Sequence, residues 1–168
     1  MTKLLPAVRQ AGAEIMAIHA KGVTAELKED RSPVTEADKA AEHILLAALA
    51  EYFPDVPVIS EENTASHQMS ATPNFFLVDP LDGTREFLRT DSSGSFTVNI
   101  ALIRENEPLI GIVYAPAIKR LFYAGKTFGS FEENKDRINK IRIRKSDKNK
   151  IVAVASSSHL DQETKDWL

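Results

Sequence analysis

Asp79 and Asp82 stand three positions apart in Asp79-Pro80-Leu81-Asp82-Gly83-Thr84, with the Leu81 carbonyl between them, and this spacing lets two carboxylates aim at one small volume. Two anions brought together repel unless a cation lies between them, and an all-oxygen set suits a hard ion such as Mg²⁺. Gly83 lets an anion come close to the backbone, and Thr84 opens a helical run, TREFL, whose first N–H groups would face the same volume. Metal beside phosphate is the chemistry of a phosphoryl hydrolase. A bare pair of aspartates at this spacing is more commonly an ordinary turn with a cap. What favours a site here is the company of Pro80, Gly83 and Thr84 after an apolar run.

That run, Phe75 to Val78, reads as a short buried strand ending at Asp79. Pro80 is expected to stop it and Asp82-Gly83 to turn the chain, which would leave the acids on either side of one turn. After Pro54, VPVIS reads as a second short buried strand with Glu61-Glu62 directly at its end. Adjacent acids after a strand are usually a solvated loop. If the two strands are sheet neighbours, however, both deliver acids from strand ends to one edge. Thr35 starts TEADKAAEHILLAALAEYF, whose Ala40, Ala41, Ile44, Leu45, Ala48, Leu49 and Phe53 give a long amphipathic helix. Asp38 then has two compatible readings: the N3 carboxylate of a capping box with Thr35, or an acid standing behind the site at a helix start.

The remaining elements supply the frame. Leu4, Leu5, Val8, Ala11, Ile15 and Ile18 recur at helical spacing, and the helix should end near Ala20, before Gly22. Residues 21–33 read as a polar loop in which Lys28, Asp30 and Arg31 could reach a phosphate or metal, although such charges mostly stay solvated. From Phe96 the segments FTVNIALI, LIGIVYAP and RLFYAG read as an antiparallel meander, with the two helices covering one face. Eight Lys or Arg lie between Lys135 and Lys150 against Asp136 and Asp147. They form either an electrostatic funnel for a polyanion or a polar edge strand, KIRIRK, and we favour the edge strand. Residues 150–168 read as an apolar strand, a serine-rich turn and a helix, as if a second domain had begun; the expected organisation is 1–148 and 149–168.

Composition excludes several classes. The chain has 168 residues, 43% hydrophobic and 27% charged, enough for a sizeable core in a globular protein. A net charge of -3 gives no global attraction to a nucleic acid polymer. With no cysteine, disulfides and thiolate metal sites are impossible. The four histidines have no pair at ligand spacing and otherwise read as structural. The longest apolar run, Ile44 to Ala50, is too short for a transmembrane segment, and a cytoplasmic location is expected, at most peripheral to the inner membrane.

The pieces SPVTEAD at 32–38, VISEEN at 58–63, DPLDGTREFL at 79–88 and FTVNIALI at 96–103, in this order, resemble the inositol monophosphatase superfamily. Within it, they resemble the 3'(2'),5'-bisphosphate nucleotidase branch of sulfur assimilation. The resemblance implies an α+β fold, the N-terminal half of an αβαβα sugar-phosphatase sandwich, with helices packed on a mainly antiparallel sheet. It implies Mg²⁺-dependent removal of the 3'-phosphate from 3'-phosphoadenosine 5'-phosphate, giving AMP and phosphate. Glu61, Asp79, Asp82 and the carbonyl of Leu81 match the family's metal ligands. Leu81, Asp82, Gly83 and Thr84 match its substrate contacts, and Asp38, Glu61 and Thr84 match the group that orients and deprotonates the attacking water. Ser158-His159 resembles a substrate-binding turn of the nucleotidase branch, with Ser157 where that turn has Arg. The family's second domain supplies a Trp-Asp motif, whereas Trp167 is followed by Leu168. This departure implies weak or absent turnover by the chain alone, with a homodimer closing the face the second domain would cover. An inositol-phosphate or other sugar phosphatase, and an inactive metal- or nucleotide-binding protein, are the alternative expectations.

Overall fold

The computed structural model describes residues 1–27, 33–68, 72–89, 96–135, 137–143, 145, 152–154 and 161–167. Helix α1 spans Leu5–Lys21, with Pro6 in its first turn, where a missing N–H costs nothing, and Gly22 at φ 84° beyond its end. A small hairpin follows, β1 (Glu26–Leu27) against β2 (Pro33–Val34), where the sequence suggested only a loop. Lys28, Asp30 and Arg31 lie outside the described residues. Helix α2 (Glu36–Tyr52) starts at a complete capping box of Thr35 and Asp38. Strand β3 (Val58–Ser60) leads through a 3-10 turn, Thr64–Gln68, to β4 (Asn74–Asp82), and a single helical turn, α3, occupies Thr84–Phe87. The meander β5 (Thr97–Arg104), β6 (Glu107–Ala115), β7 (Arg120–Gly125), β8 (Gly129–Asn134) and β9 (Arg137–Ile141) follows, and α4 is Gln162–Trp167.

Strands β3 to β9 form one sheet in chain order. Strand β3 runs parallel to β4 and every later pair is antiparallel. The class is α+β, with a mainly antiparallel sheet as expected. Alternation along the strands sends one face to the helices: Val78, Ile100 and Ile112 stand in register across β4, β5 and β6. They bury against Val8, Ala11 and Ile15 of α1 and Ala41, Leu45 and Leu49 of α2. Fully burying a Leu or Ile contributes about 1.5–3 kcal/mol, so this layer is what holds the sheet and its loops in place. On the opposite face Leu77 and Val113 remain 41% and 40% exposed.

Three expectations need correction. The apolar strand expected after Lys150 is not formed at Val152 to Val154, which are exposed and pair with no strand among the described residues, and the rest of that expected segment lies outside the described residues. The polar edge strand lies at Arg137–Ile141, upstream of the expected KIRIRK at 140–145, because β8 offers its partners there. Most relevant to the site, Pro80 does not end its strand. Pro80 sits inside an irregularity of β4 and pairing resumes at Asp82, since a bulge leaves one residue unpaired and so needs no N–H from proline. Among the described residues, no helix is long and apolar enough to cross a membrane.

Candidate active site

The bulge decides where the acids point. In a regular strand, residues three apart face opposite sides of the sheet. Here Asp79 pairs with Asn99 while Asp82 pairs with Thr97, so β4 carries one residue more than β5 over this stretch. Asn99 and Thr97 are two apart, share a face, and their side chains bond to each other, Nδ2 to Oγ1, at 3.0 Å. The extra residue therefore brings Asp79 and Asp82 to one face, the work the sequence had assigned to a turn. Pro80 and Leu81 fill the inner side, where both are buried. Gly83 then takes φ 86°, ψ 40°, a left-handed conformation open to glycine at little cost, and the chain enters α3. Phe87, 1% exposed, anchors that turn edge-to-face on Phe96 at 5.2 Å and against the His19 ring of α1 at 5.1 Å.

Glu61 arrives from the neighbouring strand. Its N–H donates to the Val78 carbonyl at 3.0 Å, immediately before Asp79, so the parallel pairing of β3 with β4 sets the two acids side by side. Burial, then the charges of Glu61 and Asp82, then a hydrogen bond with Glu61 push the Asp79 carboxyl up to about 7, against a smaller opposing bond from the Leu81 N–H. Asp79 Oδ1 is also buried with no hydrogen-bond partner. Among the described residues no three carboxylate or imidazole groups close into a cage; the close pair is Glu61 and Asp79.

An orphaned carboxylate oxygen, next to two further acids, fits a bound cation better than it fits a structural role, because burying an unpaired anion is costly. The available donors are all oxygen: carboxylates of Glu61, Asp79 and Asp82, and the Leu81 carbonyl. That set fits Mg²⁺ rather than a soft metal.

Asp38 completes the group from behind. It is fully buried at the start of α2. Its Oδ2 accepts the Thr35 N–H at 2.7 Å and the Thr35 hydroxyl at 2.6 Å, while Thr35 Oγ1 accepts the Ala37 N–H at 3.1 Å. Its Oδ1 faces the Thr84 hydroxyl at 3.3 Å. The capping geometry thus uses one oxygen and leaves the other for Thr84. Burial raises the Asp38 pKa, outweighing hydrogen bonds from Thr35, its own backbone and Thr84 that lower it. A carboxylate made more basic in this way is better able to take a proton. The Thr84 hydroxyl has a second acceptor, the Leu81 carbonyl at 3.2 Å, so its single hydrogen can turn to either.

The fold therefore gathers Asp38, Glu61, Asp79, Leu81, Asp82, Gly83 and Thr84 at one edge of the sheet. Ser158 and His159 lie outside the described residues. Asn99 was missed by the sequence reading, although a lone amide in an apolar strand was a readable signal; it lies in register with Asp79 and lines the same groove. His67 and Ser66, in the 3-10 turn after Glu61, left no such signal.

The sequence pattern described as the Inositol monophosphatase family matches residues 1–168. The 3'(2'),5'-bisphosphate nucleotidase CysQ of Salmonella typhimurium is 41% identical over 163 residues, covering 95% of this chain and 64% of that protein. The crystal structure of CysQ from Bacteroides thetaiotaomicron superposes with a TM-score of 0.76 at 30% identity, covering 99% of this chain and 65% of that one. An IMPase/NADP phosphatase crystallised with Mg²⁺ and phosphate gives a TM-score of 0.63 at 26% identity, over 73% of this chain and 46% of that one. The chain spans 64% of the length of the Salmonella relative and 65% of the Bacteroides one.

Proposed function

The chain belongs to the inositol monophosphatase family, and from that premise we propose that it carries the acidic site of an Mg²⁺-dependent phosphatase acting on the 3'-phosphate of 3'-phosphoadenosine 5'-phosphate. The products are AMP and phosphate. The observation that carries this reading is the orphaned Asp79 Oδ1, buried beside Glu61 and Asp82. The substrate follows the nucleotidase relatives, of which the Salmonella protein is 41% identical.

In this reading Glu61, Asp79, Asp82 and the Leu81 carbonyl hold Mg²⁺. When bound, the ion neutralises phosphate charge and acidifies water. Gly83 allows the phosphate to approach the backbone without a side chain in the way. Thr84 and Asp38 move the proton: as water attacks phosphorus, its proton passes to Thr84 Oγ1 while Thr84 gives its own to Asp38 Oδ1 at 3.3 Å. Glu61 orients that water. The P–O bond to the 3'-oxygen breaks, that oxygen takes a proton from solvent water as AMP leaves, and Asp38 returns its proton to solvent to restore the site. A cytoplasmic location and self-association through the face bearing Leu77 and Val113 go with this reading, and sedimentation velocity tests the latter.

The decisive assay is phosphate release from 3'-phosphoadenosine 5'-phosphate and from inositol monophosphate, with Mg²⁺ or chelator, for the chain and for Asp79→Asn. Release that prefers the nucleotide, needs Mg²⁺ and falls at least about 100-fold in Asp79→Asn is expected. Release indifferent to chelator or to Asp79→Asn counts against the site, and a preference for inositol phosphate counts against the substrate.

A further inference from the structure

The peptide unit joining Ser60 to Glu61 is held from both sides. Its N–H, on Glu61, donates to the Val78 carbonyl at 3.0 Å. Its carbonyl, on Ser60, lies 2.8 Å from Nε2 of His67. A carbonyl can only accept, so Nε2 of His67 carries the hydrogen. The 3-10 turn Thr64–Gln68 folds back against β3 to bring His67 there, and Ser66 fastens that turn. Ser66 Oγ accepts the Ser60 N–H at 3.0 Å; its one hydrogen goes to the Asn63 carbonyl at 2.6 Å in preference to the Ser60 carbonyl at 3.3 Å. Ser60 Oγ donates to Glu42 of α2 at 2.5 Å. Every polar group of Ser60, the residue that launches Glu61, has a protein partner.

His67 lines the same groove as Glu61 and Asp79, yet its imidazole is engaged with the backbone rather than with either acid. We propose that His67 is a positioning residue for Glu61: its bond to the Ser60 carbonyl, opposite the Val78 bond, fixes the peptide plane from which Glu61 is aimed at Asp79. Val78 directly precedes Asp79, so the same plane sets the separation of the two acids. Without the imidazole the carbonyl side loses its short bond at the end of a three-residue strand, and the Glu61 side chain samples a wider range of directions. The inference rests on the reading of Glu61 and Asp79 as cation ligands.

The test is calorimetric titration of Mg²⁺ and Mn²⁺ into the chain, His67→Ala and His67→Gln, with amide hydrogen exchange at Glu61 followed by NMR in the same samples. His67→Ala is expected to weaken cation binding about 10-fold, the low end of the loss when a group orienting a metal ligand is removed. Exchange at the Glu61 amide should also quicken about 10-fold as the clamp opens locally. His67→Gln, whose amide can donate to the same carbonyl, should restore both; a general structural role would gain nothing from that substitution. Equal cation binding by the chain and His67→Ala overturns the proposal. If the unsubstituted chain binds neither cation, the cation-ligand reading fails instead, and the clamp is decided by exchange: unchanged protection of Glu61 in His67→Ala overturns it, and loss restored by His67→Gln supports it.

Discussion

Asp38 uses its two oxygens for different purposes: the cap was legible in the local spacing, whereas the pairing with Thr84 was expected only from the family resemblance. The Thr35-to-Asp38 spacing announces a capping box, which is present with both bonds made. The contact of Oδ1 with Thr84 joins residues 46 positions apart and exists only because α2 and the end of β4 meet. The proton path proposed above passes through that contact, so Thr84 should matter to turnover and little to cation binding. Thr84→Ala is expected to lower kcat about 100-fold, the low end of what a positioned proton-transfer group contributes. Thr84→Ser, which keeps the hydroxyl, should recover most of it, and calorimetric Mg²⁺ affinity should be nearly the same in all three proteins. A Thr84→Ala variant with unimpaired kcat would remove Thr84 from the proton path.

At the level of elements, the sequence revealed what its periodicity encoded and concealed what tertiary partners decide. Both long helices and the meander strands β5 to β7 follow from apolar spacing. Strand β8 did not, because GSFEEN is polar; Glu133 accepts there from Arg9 of α1, with both carboxylate oxygens at 2.7 Å, and Glu132 accepts from Arg120 at 2.7 Å. Pro80 misled for a related reason: proline forbids a ladder bond, but a bulge does not ask for one. The approach of α1 to the sheet also depends on a residue without a side chain. A Cβ on Gly12 would fall 2.4 Å from Cε1 of Tyr114 and 3.1 Å from Cβ of Pro116. Alanine gains up to about 1 kcal/mol in helix propensity, whereas overpacking costs about 1–3 kcal/mol. Because Cβ of Pro116 crowds the same position, moving the ring alone does not clear the contact, and Gly12→Ala should be net destabilising, lowering the urea midpoint with an unchanged m-value. A raised midpoint would show that Tyr114 rotates away freely.

For the whole molecule, the acid cluster makes stability depend on pH in a sense opposite to that of an ordinary salt-bridged carboxylate. The folded Asp79 carboxyl is pushed up to about 7, from an ordinary 3.8, first by burial and then by Glu61 and Asp82. Between those values the folded chain holds a proton that the unfolded chain has released, so stability falls as pH rises through this window and stays lower above it. Asp38, also raised by burial, acts in the same direction. The Asp79 carboxyl is partly open to solvent, so after screening the loss is roughly 1–2 kcal/mol, a fall of about 3–6 °C in Tm for a chain of this size. Scanning calorimetry in chelator from pH 5 to 8 should show that decline, and Asp79→Asn, which cannot ionise, should show much less of it and melt higher than the unsubstituted chain at pH 8. A saturating divalent cation that prefers the ionised acids should reverse the decline, since a ligand at 100 times its Kd adds about 2.7 kcal/mol to the folded state alone. Asp79→Asn should gain little from the cation. If the unsubstituted chain melts at one temperature across this range, with and without Mg²⁺, then Glu61, Asp79 and Asp82 neither repel one another in the folded state nor gather a cation.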